Sequence, residues 1–172
     1  MSEDKLLFDA DRNLITMGDR RVVFHCHHYN LFLQRTIEDG LGTQDAERVQ
    51  VAAAMEATRA MLRSRTPVAA AASVSQQLAQ CNRLFGALGF GQANLTHITP
   101  QGGRITLTTS HYAVGWKAKW GVAKHPVCYF PLGFWMGALS VAANVAPERL
   151  LGRELSCSAL DAACCELEVE VL

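Results

Sequence analysis

Two groups of residues carry donor atoms that can hold metals or move protons. The first is "HCHH" (His25, Cys26, His27, His28), which puts three of the chain's six histidines and one of its six cysteines into four consecutive positions. Imidazole ligates metals and titrates near neutral pH, so such a cluster can bind a second metal or a haem, pass a proton or hydrogen-bond a polar ligand. The second group is scattered: Cys128, Glu154, Cys157 and Cys165. Thiolates and carboxylates are good zinc ligands, and four of them close a tetrahedral site. The spacing is not the paired CxxC pattern of zinc ribbons. The same thiols could equally fill the core, with Glu154 exposed.

Whether either group can converge depends on the elements beneath it. Apolar residues at Val22, Cys26, Tyr29, Leu33 and Ile37 predict a helix over 22–39 ending at "DGLG", with Cys26 facing inward. On that helix His25 and His28 share one face leading to Phe32, while His27 lies on a third side with Phe24 and Leu31. One regular helix therefore cannot aim all four side chains at one atom. Either the cluster is a helix start with exposed histidines, or His25 and His28, with Cys26 if the first turn is distorted, border a ligand cavity. His111 and His125 are candidate partners from elsewhere. The crowding of three histidines favours the site. At the other end, "CCELEVEVL" alternates so that Cys165, Leu167, Val169 and Val171 share the core face of a strand, and Cys164 points out with the glutamates. Glu154 and Cys157 are an odd number apart, so they converge only across a bulge or a strand end.

The remaining elements follow from pattern. Residues 5–17 read as a hairpin, and "ANLTHI"–"TPQGG"–"RITLTTS" as a second. Helices are predicted over 44–63, with Ala46, Val49, Ala53, Ala57 and Ala60 on one face, and over 72–88, with Val74, Leu78, Cys81, Phe85 and Leu88 on one face. "VAAAAS" (68–73) reads as an approach to the latter. "HYAVGWKAKWG" (111–121) is ambiguous and can be a loop. Another helix starts near Pro131 and carries Leu132, Trp135, Leu139 and Ala143. Strands, helices, hairpin, helix and strands in that order predict one α+β domain over 1–172, an antiparallel sheet covered by helices.

Composition narrows the function classes. Hydrophobic residues make up 49% and the net charge is zero, so nothing steers the chain to nucleic acid or to an anionic membrane surface. "MSEDKLLFD" has no signal-peptide character, and no stretch is apolar enough to span a bilayer, which predicts a cytoplasmic protein with reduced thiols. "GALGFGQ" (86–92) follows a helix and not a strand, unlike a nucleotide-binding loop. No Ser/His/Asp, Walker or dinucleotide motif supports a named reaction. Phe24, Tyr29, Phe90, Tyr112, Trp116 and Trp120 are candidates to line an apolar ligand pocket.

The stretch "HPVCYFPLGFWMGALSVAANVAPERLLGRELSCSALDAACCELEV" resembles the C-terminal half of the four-vinyl-reductase, or hydrocarbon-binding, domain family. The matching features are Cys128 before a helix with Gly133 and Gly137, then Glu154, two residues, Cys157, seven residues and Cys165 before an alternating strand. Asp161 stands where the family usually has Gly, and Leu167 where it has an aromatic. His111, Trp116 and Trp120 do not align with the His and Trp that aromatic-sensing relatives use for phenol. The resemblance implies the fold shared with core subunits of transport-particle (TRAPP) complexes, and a structural zinc on Cys128, Glu154, Cys157 and Cys165. It further implies a small hydrophobic or aromatic ligand, a homodimer and a separate signalling or enzyme partner. Such domains sense phenol or toluene in bacterial transcription activators, and a relative is linked to vinyl reduction in bacteriochlorophyll synthesis. The alternatives are a metal- or haem-dependent, reductase-like enzyme using the His25–His28 cluster, and a non-catalytic interaction subunit.

Overall fold

The computed structural model describes residues 5–18, 20–63 and 72–172. Residues 68–71 of "VAAAAS" lie outside them. The fold is α+β, with two antiparallel sheets and five α-helices among the described residues. The first hairpin, β1 (Leu6–Asp9) and β2 (Leu14–Met17), gains a third strand, β3 (Arg20–Val22), which pairs Val22 with Ile15. That strand corrects the start of the expected first helix. β-Branched Val22 and Val23 suit extended backbone, and α1 (His27–Leu41) begins only after Cys26 as its N-cap.

The buried face of α1 is also not the expected one. Leu31, Gln34 and Glu38 are buried, while Tyr29 and Leu33 of the predicted stripe are exposed. The cause is α4 (His111–Trp120), the ambiguous segment, which is a helix capped by the Ser110 hydroxyl and stopped at Gly121 with φ 79°. A Cβ on its Gly115 would lie 2.5 Å from Leu31 Cδ1, so this glycine admits Leu31 and thereby sets which side of α1 turns inward.

α2 (Thr43–Arg63) is rotated from its expected face too. Ala46, Ala54, Thr58, Arg59 and Leu62 are buried, and Ala53, Ala57 and Ala60 are exposed. The partner that fixes this is α5 (Tyr129–Ala142), whose Gly133 and Gly137 let it press against α2. Added Cβ atoms there would meet Val51 O at 2.3 Å and Met55 O at 2.6 Å. α3 (Val74–Ala87) starts in a capping box between Ser73 and Gln76 and buries Leu78, Cys81 and Phe85 as its spacing predicts.

The larger sheet has the order β4 (Gly91–Thr99), β5 (Gly102–Ser110), β7 (Cys165–Val171), β6 (Leu150–Ser156). On β7 Cys165, Leu167 and Val169 are fully buried against α5, and Glu168 faces outward, where Arg153 Nε donates to it at 2.7 Å. α5 is buried on nearly every side, and Trp135, Phe134 and Phe85 meet in tilted and edge-on contacts around its middle. No helix among the described residues is long and apolar enough to cross a membrane.

Candidate metal centre and the histidine cluster

Cys128, Glu154, Cys157 and Cys165 converge, with one donor atom from each lying within 4.8 Å of all the others. The odd spacing is resolved in both of the ways available to it. The β6–β7 register shifts between Glu154 and Ser156, and Cys157 lies just past the strand end. A 3-10 turn at Ser158–Leu160 and Asp161 in the left-handed region, φ 67°, then return the chain to Cys165. Asp tolerates that conformation better than most residues, which is why it can stand where glycine is usual. Cys128 arrives from the other side, at the N-cap of α5.

The distances suit a tetrahedral thiolate site. Cys128 Sγ lies 3.5 Å from Cys165 Sγ, and Cys165 Sγ lies 3.9 Å from Cys157 Sγ. Zinc–sulfur bonds of standard length put tetrahedral sulfurs about 3.8 Å apart. Outer contacts hold the donors: Ser158 N–H and Oγ each reach Cys165 Sγ at 3.3 Å, Ser110 Oγ reaches Cys128 Sγ at 3.2 Å, and Cys128 N–H donates to Glu154 Oε2 at 2.8 Å. The other carboxylate oxygen, Oε1, is buried without a hydrogen-bond partner. That orphaned oxygen, beside three buried sulfurs and closed to solvent, fits a bound metal ion.

Electrostatics point the same way. Burial pushes the Glu154 carboxyl up to about 7, against the opposing hydrogen bond from Cys128 N–H. Burial, then hydrogen bonds to the other two thiols, raise Cys128 well above the ordinary thiol range. Hydrogen bonds from Cys128, Cys157 and Ser158 concentrate the negative charge on Cys165, whose pKa is held far down. A positive charge entering the cluster would favour loss of its remaining protons.

The histidines are arranged quite differently. His25, Cys26, His27 and His28 are all exposed, so Cys26 does not face inward. His25 stacks on Tyr29 with ring centroids 4.5 Å apart. His27 lies 3.8 Å from His28 and 6.1 Å, edge-on, from His111. His125 belongs to another place, where its Nε2 is 3.7 Å from Glu38 Oε2. The five residues expected to share a second site are thus divided, and the histidine ring that contacts His111 is His27. The pocket candidates divide as well. Phe24 and Tyr29 are on the surface, whereas Tyr112 and Trp116 are buried. Tyr112 stacks on Phe130, which contacts Phe90, and Trp116 packs on Trp120.

Four residues near the centre escaped sequence reasoning: Ser110, Gln34, Glu38 and Tyr129. Ser110 announces itself only as a helix cap, and a buried Gln or Glu reads in sequence as solvent-facing.

No family model matches the chain, and neither does any curated protein. Among solved structures it is similar to the phenol-responsive sensory domain of the transcription activator PoxR, with a TM-score of 0.81 at 20% identity, covering 96% of this chain and 84% of that one. A vinyl-4-reductase family protein from Methanocaldococcus jannaschii matches with a TM-score of 0.56 at 14% identity, over 88% of this chain and 83% of that one. A trafficking protein particle complex subunit 3 from Naegleria fowleri, bound covalently to palmitic acid, gives 0.54 at 11% identity, over 84% of this chain and 91% of that one. The chain shares its fold with these proteins, as the C-terminal motif implied.

Proposed function

We propose that this chain is a small-molecule binding or sensing domain, one unit over 1–172, built around a structural zinc on Cys128, Glu154, Cys157 and Cys165. The observation that carries the reading is the convergence of those four donors in a buried cluster. The ligand class rests on the shared fold, since one similar structure is a phenol-responsive sensory domain and another carries palmitic acid. The interior supports an aromatic or hydrophobic ligand through Phe85, Phe90, Tyr112, Phe130 and Phe134, which touch in sequence around α5. Trp135 adds a polar handle: its Nε1 is fully buried and without an acceptor among the described residues. An unmet buried donor costs about 1–3 kcal/mol, which a ligand oxygen would recover.

The domain works in the cytoplasm, where the thiols stay reduced. It passes its signal to a separate partner and pairs as a homodimer. The exposed small side chains Ala53, Ala57 and Ala60 on α2 support close self-packing. The test is elemental analysis and native mass spectrometry of the purified chain. About one zinc per chain and a co-purifying or added phenol-sized ligand are expected. A chain that folds with full stability in a strong chelator, and takes up no aromatic molecule, sinks the proposal.

A further inference from the structure

α1 turns two polar side chains into the protein, and both reach toward the segment that carries Cys128. Gln34 is 1% exposed and Glu38 is 7% exposed. Burying an amide and a carboxylate where apolar groups would pack is unfavourable unless their partners matter. Gln34 Nε2 donates to Val127 O at 3.0 Å and lies 3.5 Å from Glu38 Oε1. Glu38 Oε2 faces His125 Nε2 at 3.7 Å. The other ring nitrogen of His125 is 3.0 Å from Pro126 O and 3.2 Å from the Tyr129 hydroxyl. A carbonyl can only accept, so Nδ1 carries a proton and Nε2 is the atom presented to Glu38.

These contacts grip residues 125, 127 and 129, the neighbours of Cys128 on both sides. From the opposite direction Glu154 holds the Cys128 N–H. Cys128 itself gains little orientation from its helix, because as N-cap it makes no side-chain cap and sits at φ −88°, ψ 45°. The direction of its Sγ is therefore set by the direct contact from Ser110 Oγ together with what holds the carbonyl before it and the ring after it. We infer that Gln34, Glu38 and His125 are positioning residues for the metal centre, a latch from α1 onto the segment 125–129 that controls how fast the metal is lost. The inference rests on the zinc reading above and assigns to α1, which contributes no ligand, control over retention of the metal.

The test is a chelator challenge on the zinc-loaded full chain, well below its melting temperature, with release followed by a chromogenic chelator. Outer contacts of this kind change metal affinity about 10- to 100-fold. Gln34→Met should release zinc faster by that factor, and Glu38→Gln, which keeps the shape, should release it faster by a smaller one. Asp39→Ala removes an exposed ion pair with Arg35 on the same helix and should release zinc at the native rate. The cobalt-substituted Gln34→Met protein should show altered ligand-field bands, a signature that loss of packing alone does not produce. If the variants melt lower but lose zinc at the native rate with an unchanged cobalt spectrum, these contacts only pack and the inference fails while the zinc reading stands. A native chain that holds no zinc overturns both.

Discussion

The two groups of potential ligands differ in burial, in distance along the chain and in what holds them. The N-terminal four are adjacent in sequence and exposed, with His25 before the N-cap Cys26 and His27 and His28 in the first turn of α1. The C-terminal four span 128–165, come from a helix cap, a strand and two hairpin positions, and are gathered within 4.8 Å. Consecutive residues on a helix point about 100° apart, so crowding in sequence disperses donor atoms. A bulged hairpin crossed by a helix start collects them. The donor atoms around the start of α1 are exposed to solvent. Those of the second group have surrendered their water and depend on one another.

The sharpest way to break that contrast is to delete a member from each region. Cys157→Ala or Cys165→Ala should abolish zinc binding and destabilise the domain by on the order of 4 kcal/mol, the scale of a lost structural metal. Cys164→Ala, beside a ligand but outside the cluster, should keep the zinc, and His25→Ala with His28→Ala should change stability by less than about 0.5 kcal/mol. Calorimetry with elemental analysis on each variant decides it. Equal losses at both ends would mean that the histidines are structural ligands after all.

A smaller effect separates the regions by their protons. Cys128 and Cys157 are both raised, the latter to about 12, where the hydrogen bond from Cys128 opposes and that to Cys165, with burial, prevails. Bound zinc would displace their protons and part of one from Glu154 near 7, whereas Cys165, held far down by hydrogen bonds from the other two thiols and Ser158, would contribute little. About two protons should leave per zinc near pH 7, so affinity should fall roughly 100-fold per unit as pH drops. The stability that zinc adds is present at neutral and higher pH and lost toward acid. Titration calorimetry in buffers of different ionisation enthalpy counts the protons. Release of none would mean that the metal sits on other ligands.

How far this was legible in sequence follows from the same contrast. Period-two alternation placed Cys165 inward and Cys164 out, because a strand buried on one face leaves that imprint. The α3 stripe was equally readable. The faces of α1 and α2 were not, since each is chosen by a glycine on another helix. Gly115 receives Leu31, and Gly133 receives the α2 backbone at Val51. Apolar spacing on α1 pointed to Tyr29 and Leu33, and long-range packing turned Gln34 and Glu38 inward in their place. The centre could be proposed from four residues. Its latch could not, because no local pattern marks a buried glutamine.

The smallest effect concerns the histidines themselves. His28 lies below the ordinary value near 6.5 through local desolvation first, then the charges of His27 and Lys119. His111 is lowered by burial first and then by His27, with a hydrogen bond to the His27 backbone opposing. Both rings thus favour the neutral form in the fold. Their contribution to stability is present above about 6.5 and lost as pH falls through the folded-state values. His27 contributes to both shifts and Lys119 to one. His27→Ala should therefore raise both titration midpoints, read ring by ring in proton NMR, while Lys119→Ala should raise that of His28 alone. The same spectra distinguish a set of mutually repelling surface rings from a second metal site. Repelling rings titrate independently of added zinc once the cysteine centre is filled, whereas coordinated rings stop titrating when a second equivalent arrives. On the exposed geometry of His28, its ring should keep titrating.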